Sequence, residues 1–321
     1  MTQSTDIIRR FHDGDVIFDG GLGTMLITRG LQPGMPPEEW NQTQPAKVKA
    51  VHAEYLKAGA DVIATNTFGG TPARVKSFGL GEPAAQLNNK AIRLAVDAVD
   101  EFINARIRAD EPEDPTASPM IALSLGPTGK MLPPVGGATE DDISREFEAQ
   151  LAGIELSADL ILIETFFDIR ESLIALKEAK SVFPGPVAVT MTFNKNPRGF
   201  FTVMGNEACE MMKTLEDAGA DMVGANCTLT SGDILTLASL LRASTDLPII
   251  CQPNAGQPSI RNDMPVYDQT PLEYADDMIR VLDVGVNAVG GCCGTTPEFI
   301  YEVFCRRRDR GIRSINTKEH S

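Results

Sequence analysis

The sequence predicts an α/β fold, a closed (β/α)8 TIM barrel forming a single domain over residues 1–321. Three observations carry this expectation. Short β-rich runs alternate with amphipathic helical stretches, eight such pairs fit into 321 residues, and a Gly-Ala-Asp-like turn recurs before every second strand. A doubly wound open sheet is the structural alternative.

Strands are expected at residues 16–19, 62–66, 120–125, 160–164, 187–192, 222–226, 248–252 and 288–291. Each is followed by a helical pattern, at 45–58, 84–105, 143–156, 169–182, 207–218, 232–244, 271–284 and 297–308. The repeated turns are Gly59-Ala60-Asp61, Ser157-Ala158-Asp159, Gly219-Ala220-Asp221 and Gly285-Val286-Asn287, before the second, fourth, sixth and eighth strands. A glycine C-cap followed by a polar residue explains them. Such turns lie at the bottom of a barrel, where they serve stability. The acidic stretch 109–119 enters the third strand from that end and reads as a solvated connection. Loops after strands one, two, three, five and seven are long and rich in Gly and Pro; those after four, six and eight are short. Residues ending strands six and eight should therefore sit on rigid edges, beneath a rim of longer loops.

Composition narrows the function. Hydrophobic residues make up 42% and charged residues 23%, ordinary for a chain that buries a core. No apolar run approaches the ~18–20 residues of a membrane span. The N-terminus lacks the apolar segment and cleavage site of a signal peptide, so a cytoplasmic location is expected. A net charge of −15 argues against nucleic acid as a partner. The basic run Arg306-Arg307-Arg308 with Arg310 reads as a solvated helix end.

The six cysteines are 209, 227, 251, 292, 293 and 305, against only three histidines. Cys227 ends the sixth strand in GANCT; Cys292 and Cys293 end the eighth in VGGCCGTTP. Alternate strands point side chains into the same layer of a barrel. Three thiolates could therefore converge on one zinc ion and leave its fourth position open, as in catalytic sites. Buried small apolar residues, a redox pair and a structural zinc site are the alternatives. Cys251 lies within the seventh strand and could face either way; Cys209 and Cys305 fall in helical patterns. A tris-thiolate zinc is a poor activator of water but ionises a bound thiol, which favours alkyl transfer onto sulfur.

Asp19, with Gly20 and Gly21, ends the first strand, and Glu164 ends the fourth. Carboxylates there could hold an ammonium group, and the glycine turn offers backbone N–H groups to a carboxylate. Together they suit the zwitterionic end of an amino acid. Asn254, in QPNAG after the seventh strand, could give a labile oxygen ligand to the metal. GPTGK lacks the spacing of a phosphate loop.

These residues resemble the zinc-dependent homocysteine S-methyltransferases, the family of the homocysteine-binding domain of cobalamin-dependent methionine synthase and of betaine–homocysteine methyltransferase. GANC, PNAG and GGCCGTTP carry the resemblance, with FDGGLGTML, NTFGG, SLGPTGK and LILIETFFD. It implies zinc on Cys227, Cys292 and Cys293, with Asn254 filling the fourth position until homocysteine displaces it. It also implies that Asp19, Gly20, Gly21, Glu164 and Asn66 hold the substrate. After the fifth strand, MTFNKNPRGFFTVMGNE departs from the Gly/Ser-rich stretch of full-length methionine synthases. That loop faces the incoming donor. The chain shows no folate or corrinoid module and no DxHxxG motif, so the donor is expected to be methylcobalamin or a corrinoid on a separate protein, or a small molecule. The expected reaction makes methionine from homocysteine. The alternatives are a methyltransferase component of a catabolic corrinoid system, acting on another methylated compound or thiol, and a non-enzymatic zinc-binding subunit.

Overall fold

The structure, a computed structural model, describes residues 3–109, 118–152, 154, 157–261 and 264–318. Eight parallel strands form one sheet: β1 (Val16–Ile17), β2 (Val62–Ala64), β3 (Met120–Leu125), β4 (Leu160–Phe166), β5 (Val187–Met191), β8 (Met222–Thr230), β9 (Ile249–Asn254) and β12 (Ala288–Val289). Their order is β1-β12-β9-β8-β5-β4-β3-β2. A parallel bridge between Phe18 and Val62 closes the ring. The expected barrel is thus the observed one. Helices α4 (Pro45–Lys57), α6 (Ala84–Arg108), α7 (Glu140–Leu151), α8 (Ile169–Val182), α9 (Ala208–Asp217), α10 (Ser231–Arg242), α11 (Pro271–Asp283) and α12 (Pro297–Lys318) follow the eight strands in turn.

Several elements were not expected. Helix α1 (Gln3–Asp13) precedes the first strand and drives Ile7 and Phe11 into the cluster that fills the barrel, where the Phe11 and Phe18 rings lie 6.0 Å apart. Short helices α2 (Leu22–Thr28), α3 (Trp40–Thr43) and α5 (Pro72–Ser77) build the loops after β1 and β2. The unusual stretch after β5 folds into the hairpin β6 (Asn194–Asn196)–β7 (Gly199–Phe201), and the loop after β9 into β10 (Pro258–Arg261)–β11 (Met264–Tyr267). The first and last barrel strands are shorter than expected, ending at Ile17 and Val289, although the Gly290 and Gly291 N–H groups still donate to the carbonyls of Cys251 and Asp19 at 3.1 and 2.9 Å. The sixth runs on through Cys227 to Thr230. Of the acidic connection 109–119, residues 110–117 lie outside the described residues, as do 153, 155 and 156 of the helix expected at 143–156, which is observed to end at Leu151, and His320. The C-terminal arginines differ from expectation too. They lie within α12, and Arg307 and Arg310 pair with Asp61 and Asp15 at the barrel bottom.

The recurring turns have a common structural task. Asp61, Asp159, Asp221 and Asn287 each accept the backbone N–H of a residue that opens the neighbouring strand: Ile17, Ile121, Val187 and Ile249, at 2.8, 2.8, 2.7 and 3.0 Å. Each polar residue returns its own N–H to the carbonyl of that same partner, at 2.7, 2.8, 3.0 and 3.0 Å. The result is a two-bond latch, made four times among the described residues. Gly59, Gly219 and Gly285 carry φ values of +95°, +89° and +96° before three of them, the left-handed turn that stops helices ending at Lys57, Asp217 and Asp283 and leads the chain into the latch.

Two outcomes follow from the core. Asp221→Ala orphans the Val187 N–H and should cost about 1–3 kcal/mol in denaturant unfolding, with metal content unchanged. His52, on α4, is fully buried with neither ring nitrogen hydrogen-bonded, and burial lowers its pKa to about 4. The unfolded chain binds that proton from about pH 6.5 downward. Stability should therefore be lost as pH falls from about 6.5 to about 4, by about 3 kcal/mol in all. His52→Leu should flatten this limb in a pH series of urea melts; an unchanged limb would contradict the assignment.

Candidate metal centre and substrate cavity

Along each barrel strand alternate residues face inward. The inward apolar residues Ala122, Leu162, Ala188 and Ile250 belong to one cluster inside the barrel. Two residues further toward the C-terminal end, the same phase delivers Ser124, Glu164, Thr190 and Gln252, and Asn226 on β8. The change from apolar to polar marks the floor of the site. Above it lies a cavity of about 560 Å³, within the range of ligand sites. Its lining includes Asp19, Gly20, Gly21, Asn66, Glu164, Cys227, Cys292 and Cys293. The structure therefore gathers all but one of the residues singled out from the sequence. Asn254 is the exception; it is not among the cavity's lining residues, and its Oδ1 accepts the Cys293 N–H.

The sulfurs of Cys227, Cys292 and Cys293 all lie within 4.8 Å of one another. Different devices put them there. At Cys227 the β8–β9 register slips between Asn226 and Thr230, and Cys227 and Thr228 take φ values of +61° and +46°. A bulge with left-handed non-glycine residues re-aims a side chain at the cost of strain, and such strain collects at functional sites. At the end of β12 the turn is clasped from three sides. Cys292 N–H donates to the Pro253 carbonyl at 2.8 Å, Cys293 N–H to Asn254 Oδ1 at 3.1 Å, and Thr295 Oγ1 to the Cys292 carbonyl at 2.7 Å. The buried Tyr274 hydroxyl donates to the Gly290 carbonyl at 2.6 Å. Gly21 packs so close that a Cβ there would lie 2.6 Å from the Cys292 carbonyl oxygen. Gly294, at φ +84°, leaves its outer side to the Tyr267 ring. Cys251 is fully buried away from the cluster, and burial pushes its thiol up to about 12. Cys209 and Cys305 lie on α9 and α12, half-buried.

Sequence reasoning missed the residue that joins the two halves of this centre. Asn226 is 1% exposed. Its Oδ1 accepts from Thr165 N–H at 2.8 Å and Thr190 Oγ1 at 2.9 Å. Its Nδ2 reaches Thr165 Oγ1 at 2.6 Å, Glu164 Oε2 at 3.4 Å and Cys292 Sγ at 4.0 Å. One amide thus ties the carboxylate to the cysteine cluster. Its position next to Cys227, in the inward phase, was the available signal. Tyr267, which hydrogen-bonds Cys293 from β11, and Thr295, which accepts the Gly21 N–H at 2.9 Å, were also missed.

The electrostatics favour a cation. Burial pushes the Asp19 carboxyl well above its usual range; the Ala64 N–H, at 2.9 Å, opposes the shift and Glu164 adds to it. Glu164 lines the cavity, and burial raises its pKa to about 7, against the pull of the Ser124 hydroxyl at 2.5 Å and with Cys227 adding. Among the sulfurs, hydrogen bonds from Cys227 and Cys292, and then from Tyr267, hold Cys293 ionised far below the ordinary thiol range. Cys292 is pushed up by the same contacts and by burial. A site that resists its own negative charge gains most from a bound positive one. Three thiolates are soft ligands that select metals of matching softness.

Asn66 donates to the carbonyl of Pro37 and to Asn41 Oδ1, both at 2.8 Å, and so fixes the loop after β1 over the cavity.

Comparisons with known proteins bear on the family and the fold. A curated methionine synthase of Mycobacterium leprae (strain TN) is 28% identical over 315 residues, covering 93% of this chain and 25% of the relative. The methionine synthase of Mycobacterium tuberculosis (strain ATCC 25618 / H37Rv) is 28% identical over 313 residues, with the same coverage. The chain spans about a quarter of the length of these relatives. Among solved structures, the metallated form of the homocysteine methyltransferase MmuM from Escherichia coli superposes with a TM-score of 0.74 at 20% identity, over 91% of this chain and 96% of that one; at such identity the likeness concerns the fold. The profile of the homocysteine S-methyltransferase family matches residues 16–305, from the first barrel strand to the last helix, and the chain belongs to that family.

Proposed function

We propose that this chain, read as one domain over residues 1–321, is a zinc-dependent methyltransferase that moves a methyl group onto the sulfur of homocysteine to give methionine. The observation that carries this reading is the convergence of three cysteine sulfurs within 4.8 Å on the wall of a cavity that also holds Asp19 and Glu164. The donor set fits zinc. Sulfurs ~2.3 Å from one tetrahedral ion lie about 3.8 Å apart, inside the observed limit. Cys227, Cys292 and Cys293 would hold the ion, with Asn254 as the labile fourth ligand. When bound, zinc keeps a substrate thiol ionised while leaving its sulfur nucleophilic.

The remaining work falls to the chain. Asp19 and Glu164 would take the substrate ammonium, whose charge relieves both buried carboxyls. The Gly20-Gly21 turn would receive the substrate carboxylate, with Asn66 closing the wall beside it. Asn226 holds Glu164 and Cys292 in one network, so the amino-acid end and the sulfur end of the substrate are registered to each other. Holding the thiol at a fixed point before the donor arrives supplies the orientation advantage of an intramolecular reaction. The donor is a separate corrinoid protein or a small molecule. No helix among the described residues is long and apolar enough to cross a membrane.

Cys→Ala at 227, 292 or 293 should abolish zinc retention after dialysis, measured by atomic absorption, while the fold persists by circular dichroism. Near-stoichiometric zinc in any of the three would defeat the site assignment. With the wild type, homocysteine should be converted to methionine by at least one of methylcobalamin, a methylated corrinoid protein, methylfolate, betaine, S-methylmethionine and S-adenosylmethionine.

A further inference from the structure

The cysteines, Asp19 and Glu164 account for one substrate, and the reaction needs two. The rest of the cavity wall comes from the loops after β1 and β2, with Met35, Glu38, Phe68, Arg74 and Phe78. Among the described residues that line the cavity, Arg74 is the only basic one; it stands against the carboxyls of Asp19, Glu38 and Glu164. Its Nε is buried with no hydrogen-bond partner, and no carboxylate among the described residues forms an ion pair with it. Glu38 feels its charge but gives Oε1 to the Gly69 N–H at 2.6 Å.

Arg74 is nevertheless held in place. The guanidinium sits 5.0 Å from the centre of the Phe78 ring. Its Cδ packs over Gly129, where an added Cβ would come within 3.2 Å. Helix α5, which carries it, is capped by the Thr71 hydroxyl. A fixed, partly desolvated and unpaired guanidinium on a cavity wall is preorganised for an anion.

We propose that this wall is the subsite of the methyl donor, and that Arg74 binds the carboxylate of a small-molecule donor. The inference rests on the methyltransferase reading given above. Three arguments select the ligand class. The Arg74 fork matches a carboxylate, which one guanidinium neutralises. A dianionic phosphate would put surplus negative charge beside Glu38, in a cavity that already holds Asp19 and Glu164. The carboxylate of the thiol substrate has its own place at the Gly20-Gly21 turn, so an anion at Arg74 belongs to the other reactant. A donor delivered on a second protein would need no such anchor inside the cavity. In the transfer, the substrate sulfur, its thiol proton released to solvent on ionisation, forms a bond to the methyl carbon. That carbon's bond to the donor heteroatom breaks, and the heteroatom keeps the electron pair.

The test compares zinc-loaded wild type with Arg74→Ala and Arg74→Lys. Binding is measured by titration calorimetry and turnover by methionine formation. The carboxylate-bearing probes are betaine, S-methylmethionine and 5-methyltetrahydrofolate; methylcobalamin, which has no carboxylate, is the contrast. The expected result is that one carboxylate probe binds the wild type and weakens at least tenfold in Arg74→Ala, with partial recovery in Arg74→Lys. The homocysteine KM and zinc content should stay within twofold. The proposal is overturned if no carboxylate probe binds the wild type, if the bound one weakens less than threefold in Arg74→Ala, or if homocysteine binding is lost instead. Carboxylate binding that depends on Arg74, without methionine formation from any donor, would sink the methyltransferase reading and leave the anion site standing.

Discussion

Closure of the barrel is the constraint on which the rest depends. Once Phe18 meets Val62 and the ring shuts, every inward position is assigned to a layer, and no strand can slip without exchanging its whole inner face for its outer one. The apolar layers fill the lower barrel. The next step up each strand meets Ser124, Glu164, Thr190, Asn226 and Gln252, and these polar groups have only one another and the cavity to turn to. Asn226 answers most of that demand, with contacts to β4, β5 and the Cys292 sulfur. The cysteine cluster is thus seated on a polar floor whose geometry is fixed by ring closure.

Local strain gathers at the rim of that floor; among the described residues, Asp15 before β1, at φ +60°, is the one other non-glycine position in the left-handed region. The non-glycine residues with positive φ in the upper barrel are Thr165, Cys227 and Thr228, where β4 and β8 slip register. At Thr165 the strain lets the backbone N–H donate to Asn226 Oδ1 while the hydroxyl oxygen accepts from Asn226 Nδ2. Cys227 spends it on turning its sulfur toward Cys292 and Cys293. The lower ends of the strands are built from regular latches. Rigidity below and distortion above is the division of labour expected where a scaffold carries a site.

Much of this was legible in the sequence, for reasons of range. Strand and helix positions came from periodicity, which is local, and the cysteines came from their place at strand ends. Asp61, Asp159, Asp221 and Asn287 were visible as a repeat, but not their partners, which lie 34 to 44 residues away by number in Ile17, Ile121, Val187 and Ile249. Asn226 escaped for the same reason, since its bonds to Thr165 span 61 residues. Helix α1 and the two hairpins escaped because short segments take their structure from what they pack on. The arginines of α12 were read as a solvated end because nothing local revealed Asp61 and Asp15 beneath them.

The four latches divide the barrel into strand pairs: β1 with β2, β3 with β4, β5 with β8, and β9 with β12. The first two pairs carry Asp19, Gly20, Gly21, Asn66 and Glu164; the last two carry Cys227, Asn254, Cys292 and Cys293. Each half-barrel therefore owns a different chemistry, hydrogen bonding and charge in one, a cluster of cysteine sulfurs in the other. A substrate with an amino-acid head and a sulfur tail would bridge the seam between them, and the Asn226 amide is a rivet across that same seam. Drift of one half-barrel relative to the other would stretch such a molecule along its length, which makes the reactant itself a sensor of how well the halves are joined.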